Sequence, residues 1–241
     1  MTPEELMERN KLRIPQEEDI TAAVFDQERS WSGQLGPMVP VNDYPVPVRK
    51  GNMEKGERAG AMARDFEDYL RRQYIPYREN KDMGVSEVTF VSMCENAPGG
   101  FVEGCIRFFD KMANVSVHYN TIATDLCKKS AHKDDLFRLF NYMNASVFMV
   151  YRDGGNNRYD PTIYYLPRIC LAEDDSGDIS IDVLINYDFW KLARYETRDY
   201  FTAYCPKLLD KFAPFITGVL TGEMDADGAI AAIKRDILKE E

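Results

Sequence analysis

No window of this chain holds the ~18 to 20 consecutive apolar residues that a membrane-spanning helix needs, so no such helix is expected. Histidine is scarce: His118 and His132 are the only two, fourteen residues apart and on different expected elements. Their bland role is that of surface side chains. The five cysteines (Cys94, Cys105, Cys127, Cys170, Cys205) are odd in number, widely spaced and free of any CxxC pair. That usage suits reduced thiols in a cytoplasm rather than a disulfide framework or a zinc site. The opening MTPEELMERNKLRIPQEED is charged and has no apolar stretch, so neither a signal peptide nor a transit peptide is expected there. The chain also lacks GxSxG, HExxH, GxGxxG and GxxxxGK[ST], each of which would have carried a defined chemistry.

Positive charge is thin. With 30 Lys and Arg against 40 Asp and Glu, the net charge is −10. A surface of that sign repels phosphate backbones and anionic lipid. The densest basic runs, Arg71-Arg72 and Lys128-Lys129, are too short to offset it. Neither nucleic acid nor a membrane is expected as a partner. The 241 residues, 44 % of them hydrophobic, suffice to bury a sizeable core.

What is present divides at about residue 56. The first 56 residues hold six of the twelve prolines (Pro3, Pro15, Pro37, Pro40, Pro45, Pro47). GPMVPVNDYPVPV cannot be a regular helix, because each proline removes a backbone donor and disfavours helix before it. It reads as an extended Pro-rich arm (1–56), with a short helix allowed only over 16–27. Its apolar side chains Met38, Val39, Val41, Tyr44, Val46 and Val48 form a strip suited to docking along a groove or a sheet edge. They are the candidate partner-binding residues.

Residues 57–241 read as one α+β domain. Ala59, Met62, Ala63, Phe66, Tyr69 and Leu70 recur at helical spacing, and Pro76 stops that helix. Residues 85–93, 101–109 and 114–121 read as strands, with APGG as a turn between the first two. In the third, Val115, Val117 and Tyr119 alternate with Ser116, His118 and Asn120. Helical spacing returns over 134–148. Strands are expected at 162–171 and 179–188, then a long helix over 198–220 bent or broken at Pro206 and Pro214 and closed by Gly222. A last helix spans 226–239, with Asp225 placed to cap it. The sum is an antiparallel five-stranded sheet with packed helices.

The acidic stretch AEDDSGD (172–178) raises the question of a metal site. An EF-hand needs oxygen ligands at loop positions one, three, five and twelve, and glycine at six. Gly177 at six would put Ala172 at one and Val183 at twelve, which fails. Two β-rich runs flank the stretch, so a hairpin turn is the better reading. No metal, cofactor or catalytic residue is expected. The enzymatic alternatives are Asp174, Asp175 and Asp178 around a divalent ion, or His118 beside Cys105. A third reading is a structural subunit of a larger assembly.

The order helix, three strands, helix, two strands, long helix resembles the type III secretion chaperone-like fold and, within it, the YbjN-like bacterial proteins. The helix DDLFRLFNYMNASVF, with Asn141 and Asn144 near its end, and the hairpin ICLAEDDSGDISIDVLIN carry the likeness over roughly residues 57–221. The arm is not part of it. The resemblance implies a binding module rather than a catalyst. Chaperones of that fold dimerise and hold extended client segments along apolar grooves, and YbjN-like proteins are described as regulators. A protein or peptide partner and a homo-oligomer are the corresponding expectations.

Overall fold

The structure is a computed structural model that describes residues 57–80, 86–150, 165–172 and 176–239. The strip Met38, Val39, Val41, Tyr44, Val46 and Val48 lies outside the described residues, as do Asp174 and Asp175.

Helix α1 (Glu57–Arg72) forms where the sequence places it, with Glu57 in its first turn and Arg71 and Arg72 in its last. Both signs complement the helix dipole. Its buried stripe includes Met62, Ala63, Phe66 and Leu70. Tyr74, at φ 56°, turns the chain out of the helix.

Strands β1 (Tyr77–Asn80), β2 (Ser86–Met93), β3 (Phe101–Phe108) and β4 (Met112–Tyr119) follow as an antiparallel meander. Gly99 and Gly100 take positive φ at the β2–β3 turn, as the APGG signal requires. Two helices come next, α2 (Thr121–Lys129) and α3 (Lys133–Tyr142). The latter runs on through a π turn (Met143–Val147) to Val150. Leu136, Leu139, Phe140, Met143 and Val147 are all buried, the stripe read from the sequence.

The chain then enters β5 (Ile169–Leu171) and β6 (Ile179–Asn186). Strand β6 pairs with β4 and leaves β5 at the edge, giving the order β1-β2-β3-β4-β6-β5. The acidic stretch is flanked by this hairpin, which Ala172 N–H closes onto the Asp178 carbonyl at 2.9 Å. Helices α4 (Tyr187–Leu192) and α5 (Arg194–Asp199) lead through a π turn (Tyr200–Tyr204) into α6 (Cys205–Thr221). Gly222 caps α6 in the left-handed region at φ 76°. Asp225 then caps α7 (Ala226–Ile233), accepting from Gly228 N–H at 2.8 Å.

The α+β class with an antiparallel sheet is as expected, but the sheet has six strands rather than five. The additional strand is β1. Its sequence, Tyr-Arg-Glu-Asn, carries a single apolar side chain, and it is held by pairing with β2 rather than by pattern. Of the expected strand at 162–171, residues 162–164 lie outside the described residues, 165–168 are not in the ladder and Ile169–Leu171 are; Tyr187 begins a helix rather than ending a strand. Pro214 lies inside α6 without breaking it.

A connected core lies between the helices and one face of the sheet. The Phe66 ring meets Phe90, Phe108 and Trp190 there, with centroids 6.1, 6.4 and 5.8 Å away. Gly104 sits directly opposite Phe90 in the β2–β3 register. A Cβ on Gly104 would come within 2.1 Å of that ring, so only glycine leaves room for it. The buried Tyr119 hydroxyl donates to the Leu209 carbonyl at 2.6 Å and ties β4 to α6. Among the described residues no helix is long and apolar enough to cross a membrane.

Candidate functional site

Side chains directly opposite one another across antiparallel strands share a face. The face turned away from the core therefore follows from the register. One row runs Val91, Glu103, His118, Ser180, Cys170, and the next runs Thr89, Cys105, Ser116, Asp182. A third runs Glu87, Arg107, Asn114, Leu184. The ring contacts and the tyrosine bond that join helices to the sheet all involve Phe90, Phe108 and Tyr119, on the opposite face.

This outer face is polar in its middle and apolar at both ends. Two of its polar pairs are joined by hydrogen bonds. Arg107 Nε donates to Glu87 Oε2 at 2.7 Å across β2 and β3, and the Ser180 hydroxyl donates to Asp182. At one end Val91 and Phe101 pack into a small cluster separate from the core, and Met93, opposite Phe101, is 59 % exposed. At the other end Met112 is 39 %, Phe109 41 % and Leu184 66 % exposed. Leu184 lies diagonally across from Met112, whose direct partner is Asn186.

His118 and Cys105 do share this face. Cys105 stands opposite Ser116, so the two are diagonal neighbours, with Cα atoms on the order of 7–8 Å apart. Their chemistry does not join. His118 Nδ1 lies 3.0 Å from the Tyr119 carbonyl, which can only accept, so Nδ1 carries the proton. Burial, and after it the charge of Glu87, pushes the Cys105 thiol up to about 11. At neutral pH it is a thiol rather than a thiolate, and thus a poor nucleophile. Burial likewise raises the other cysteines, with Cys94 pushed up to about 12.

Asp178 is turned to its own scaffold. It accepts from the Thr124 hydroxyl of α2 at 2.9 Å, beside Gly177 at φ 64°. Among the described residues no three His, Cys, Asp or Glu side chains come together to hold a metal ion.

Asn144, singled out in the sequence without a role, has one in the structure. Its amide donates to the Ile169 carbonyl and accepts from Ile169 N–H, both at 2.9 Å. The side chain thus occupies the donor and acceptor that edge strand β5 would otherwise offer another strand. This edge is closed at Ile169, and among the described residues Leu184, Met112 and Met93 stay exposed on the outer face. Leu184 was also accessible to the sequence, as the one apolar member of an otherwise polar alternation (Ser180, Asp182, Asn186, Asp188).

No family model, no curated protein and no solved structure matches this chain.

Proposed function

We propose that the protein is a non-catalytic binding module, chaperone-like or regulatory, that receives a polypeptide segment on the open face of its sheet. The observation that carries this reading is the one-sided layering. Apolar ends flank a polar middle on a face to which, among the described residues, the helices contribute no ring contact. Phe101 and Phe109 mark the two ends, and the strand rise puts them about 27 Å apart. An extended segment of about eight residues spans that distance. Desolvating the exposed Leu184, Met112 and Met93 supplies the drive, and the raised Cys105 thiol speaks against nucleophilic chemistry on the same face.

Kinship with the secretion-chaperone and YbjN-like proteins, and with it self-association in a cytoplasm, belongs to the proposal on the element order read from the sequence, to which the structure adds β1 and α2. A second copy of the chain is then one occupant of the face. The Pro-rich strip from Met38 to Val48 is another extended apolar segment of the kind the face would take, from its own chain or from a twin.

Sedimentation of the full chain beside Met112→Asp/Leu184→Asp tests the proposal. The full chain is expected to form a concentration-dependent assembly or to retain a protein partner. The variant is expected to lose both while melting at the same temperature. A variant with the assembly state and partner recovery of the full chain contradicts the proposal.

A further inference from the structure

A second feature lies on the helical side, away from the open face. Between α1 and the α4–α5 corner is a cleft of about 360 Å³, lined by Arg58, Met62, Asp65, Trp190, Lys191 and Arg194 among others. Its charge runs against that of the chain. Asp65 is shared between two guanidiniums, one oxygen going to Arg194 and the other to the buried Arg198 at 2.5 Å. Arg58 pairs with Asp188 and lies over the Tyr187 ring, 5.5 Å from its centroid. Lys191 has no ion pair among the described residues. Four cations (Arg58, Lys191, Arg194, Arg198) thus meet two carboxylates (Asp65, Asp188), an excess of two positive charges in a chain of net charge −10. Asp199, deeper in the seam, is taken by the Tyr69 hydroxyl at 3.0 Å and has Glu196 nearby, so the excess belongs to the lining itself, where Arg58, Lys191 and Arg194 face Asp65.

Among the described residues two buried donors at the same seam have no partner, the Trp190 Nε1 and the Arg198 Nε. The floor of the cleft includes the buried Met62 and Trp190, so the surface a ligand meets is mainly that of the charged side chains. Ion pairing holds Arg58 and Arg194 in place in the absence of any ligand, so less freedom is lost when an anion arrives. Guanidinium forks match the planar oxygens of carboxylates and the oxygens of phosphates alike.

We propose that this cleft binds a small organic anion, its carboxylate or phosphate on Lys191, Arg194 and Arg58, above the buried Trp190. This site is independent of the polypeptide-binding face.

The chain has two tryptophans, Trp31 and Trp190. In a full-length Trp31→Phe background, emission therefore reports Trp190 alone. Phenyl phosphate and benzoate are titrated in, with phenol as the uncharged control. At least one of the two anions is expected to give a saturable change, with affinity about tenfold or more above that for phenol, as charge-assisted contacts predict. Lys191→Glu is expected to weaken binding about tenfold or more, with an unchanged melting temperature because Lys191 is exposed and unpaired among the described residues. Saturation by phenyl phosphate alone assigns the cleft to phosphates, and by benzoate alone to carboxylates. No saturable change with either anion, no preference over phenol, or an unaffected Lys191→Glu overturns the assignment.

Discussion

On β3, Val102, Gly104, Ile106 and Phe108 face the helices and are buried, while Glu103, Cys105 and Arg107 between them face away and are half-buried or exposed. On β4 the same contrast separates Val115 and Val117 from Ser116 and His118. The period-two geometry of a strand makes the two faces inseparable in sequence and independent in use. One face is filled to the point that Gly104 cannot carry a methyl group. The other keeps exposed leucine and methionine at its ends, with no partner helix among the described residues. Core density explains the first face. Folding alone gives no reason for the second, because an apolar side chain left in water contributes little to stability.

Substitutions that separate the two faces should differ in size accordingly. Phe66→Ala empties the ring cluster under the sheet, and its expected cost is about 3–5 kcal/mol, read from chemical denaturation. Gly104→Val drives a branched side chain into the Phe90 ring, with an expected loss of about 1–3 kcal/mol. Asn144→Ala removes both bonds to Ile169 at the sheet edge, and about 1–3 kcal/mol should go with them. Hydrogen exchange at Ile169 and its neighbours should report that loss before the rest of the sheet. Leu184→Ser on the outer face should stay within about 0.5 kcal/mol of the parent. A large loss there would mean that Leu184 packs as core and that the two faces do not differ as described.

The strong alternations were readable in advance. Val115, Val117 and Tyr119 on β4 and Ile179, Ile181 and Ile185 on β6 all lie on the buried face. Gly222 and Asp225 close and open helices for the local reasons their types suggest. Elements held by their neighbours were not readable. Strand β1 has one apolar residue, and α2 (TIATDLCKK) is nine residues with little stripe of its own. Asn120 secures its start by accepting from Ile122 N–H at 2.9 Å and donating to the Phe101 carbonyl at 2.8 Å, the latter a bond across nineteen positions. The basic cleft is the extreme case. Asp65 meets Arg194 and Arg198 across about 130 residues, and no local pattern announces such a meeting. The open face lies between these extremes, because Leu184 on a polar alternation was visible while its closeness to Met112 needed the register.

Methionine oxidation of the full chain separates the two faces most directly. Met93 and Met112 stand exposed on the outer face, Met149 is 51 % exposed at the end of the α3 segment, and Met62 and Met143 are buried. Dilute peroxide applied to the dissociated chain should convert Met93, Met112 and Met149 and spare Met62 and Met143. Once the chain is concentrated into its assembly or saturated with a retained partner, Met93 and Met112 should become protected while Met149 reacts as before. Protection of Met149 with continued oxidation of Met93 and Met112 would place the binding surface elsewhere and contradict the account.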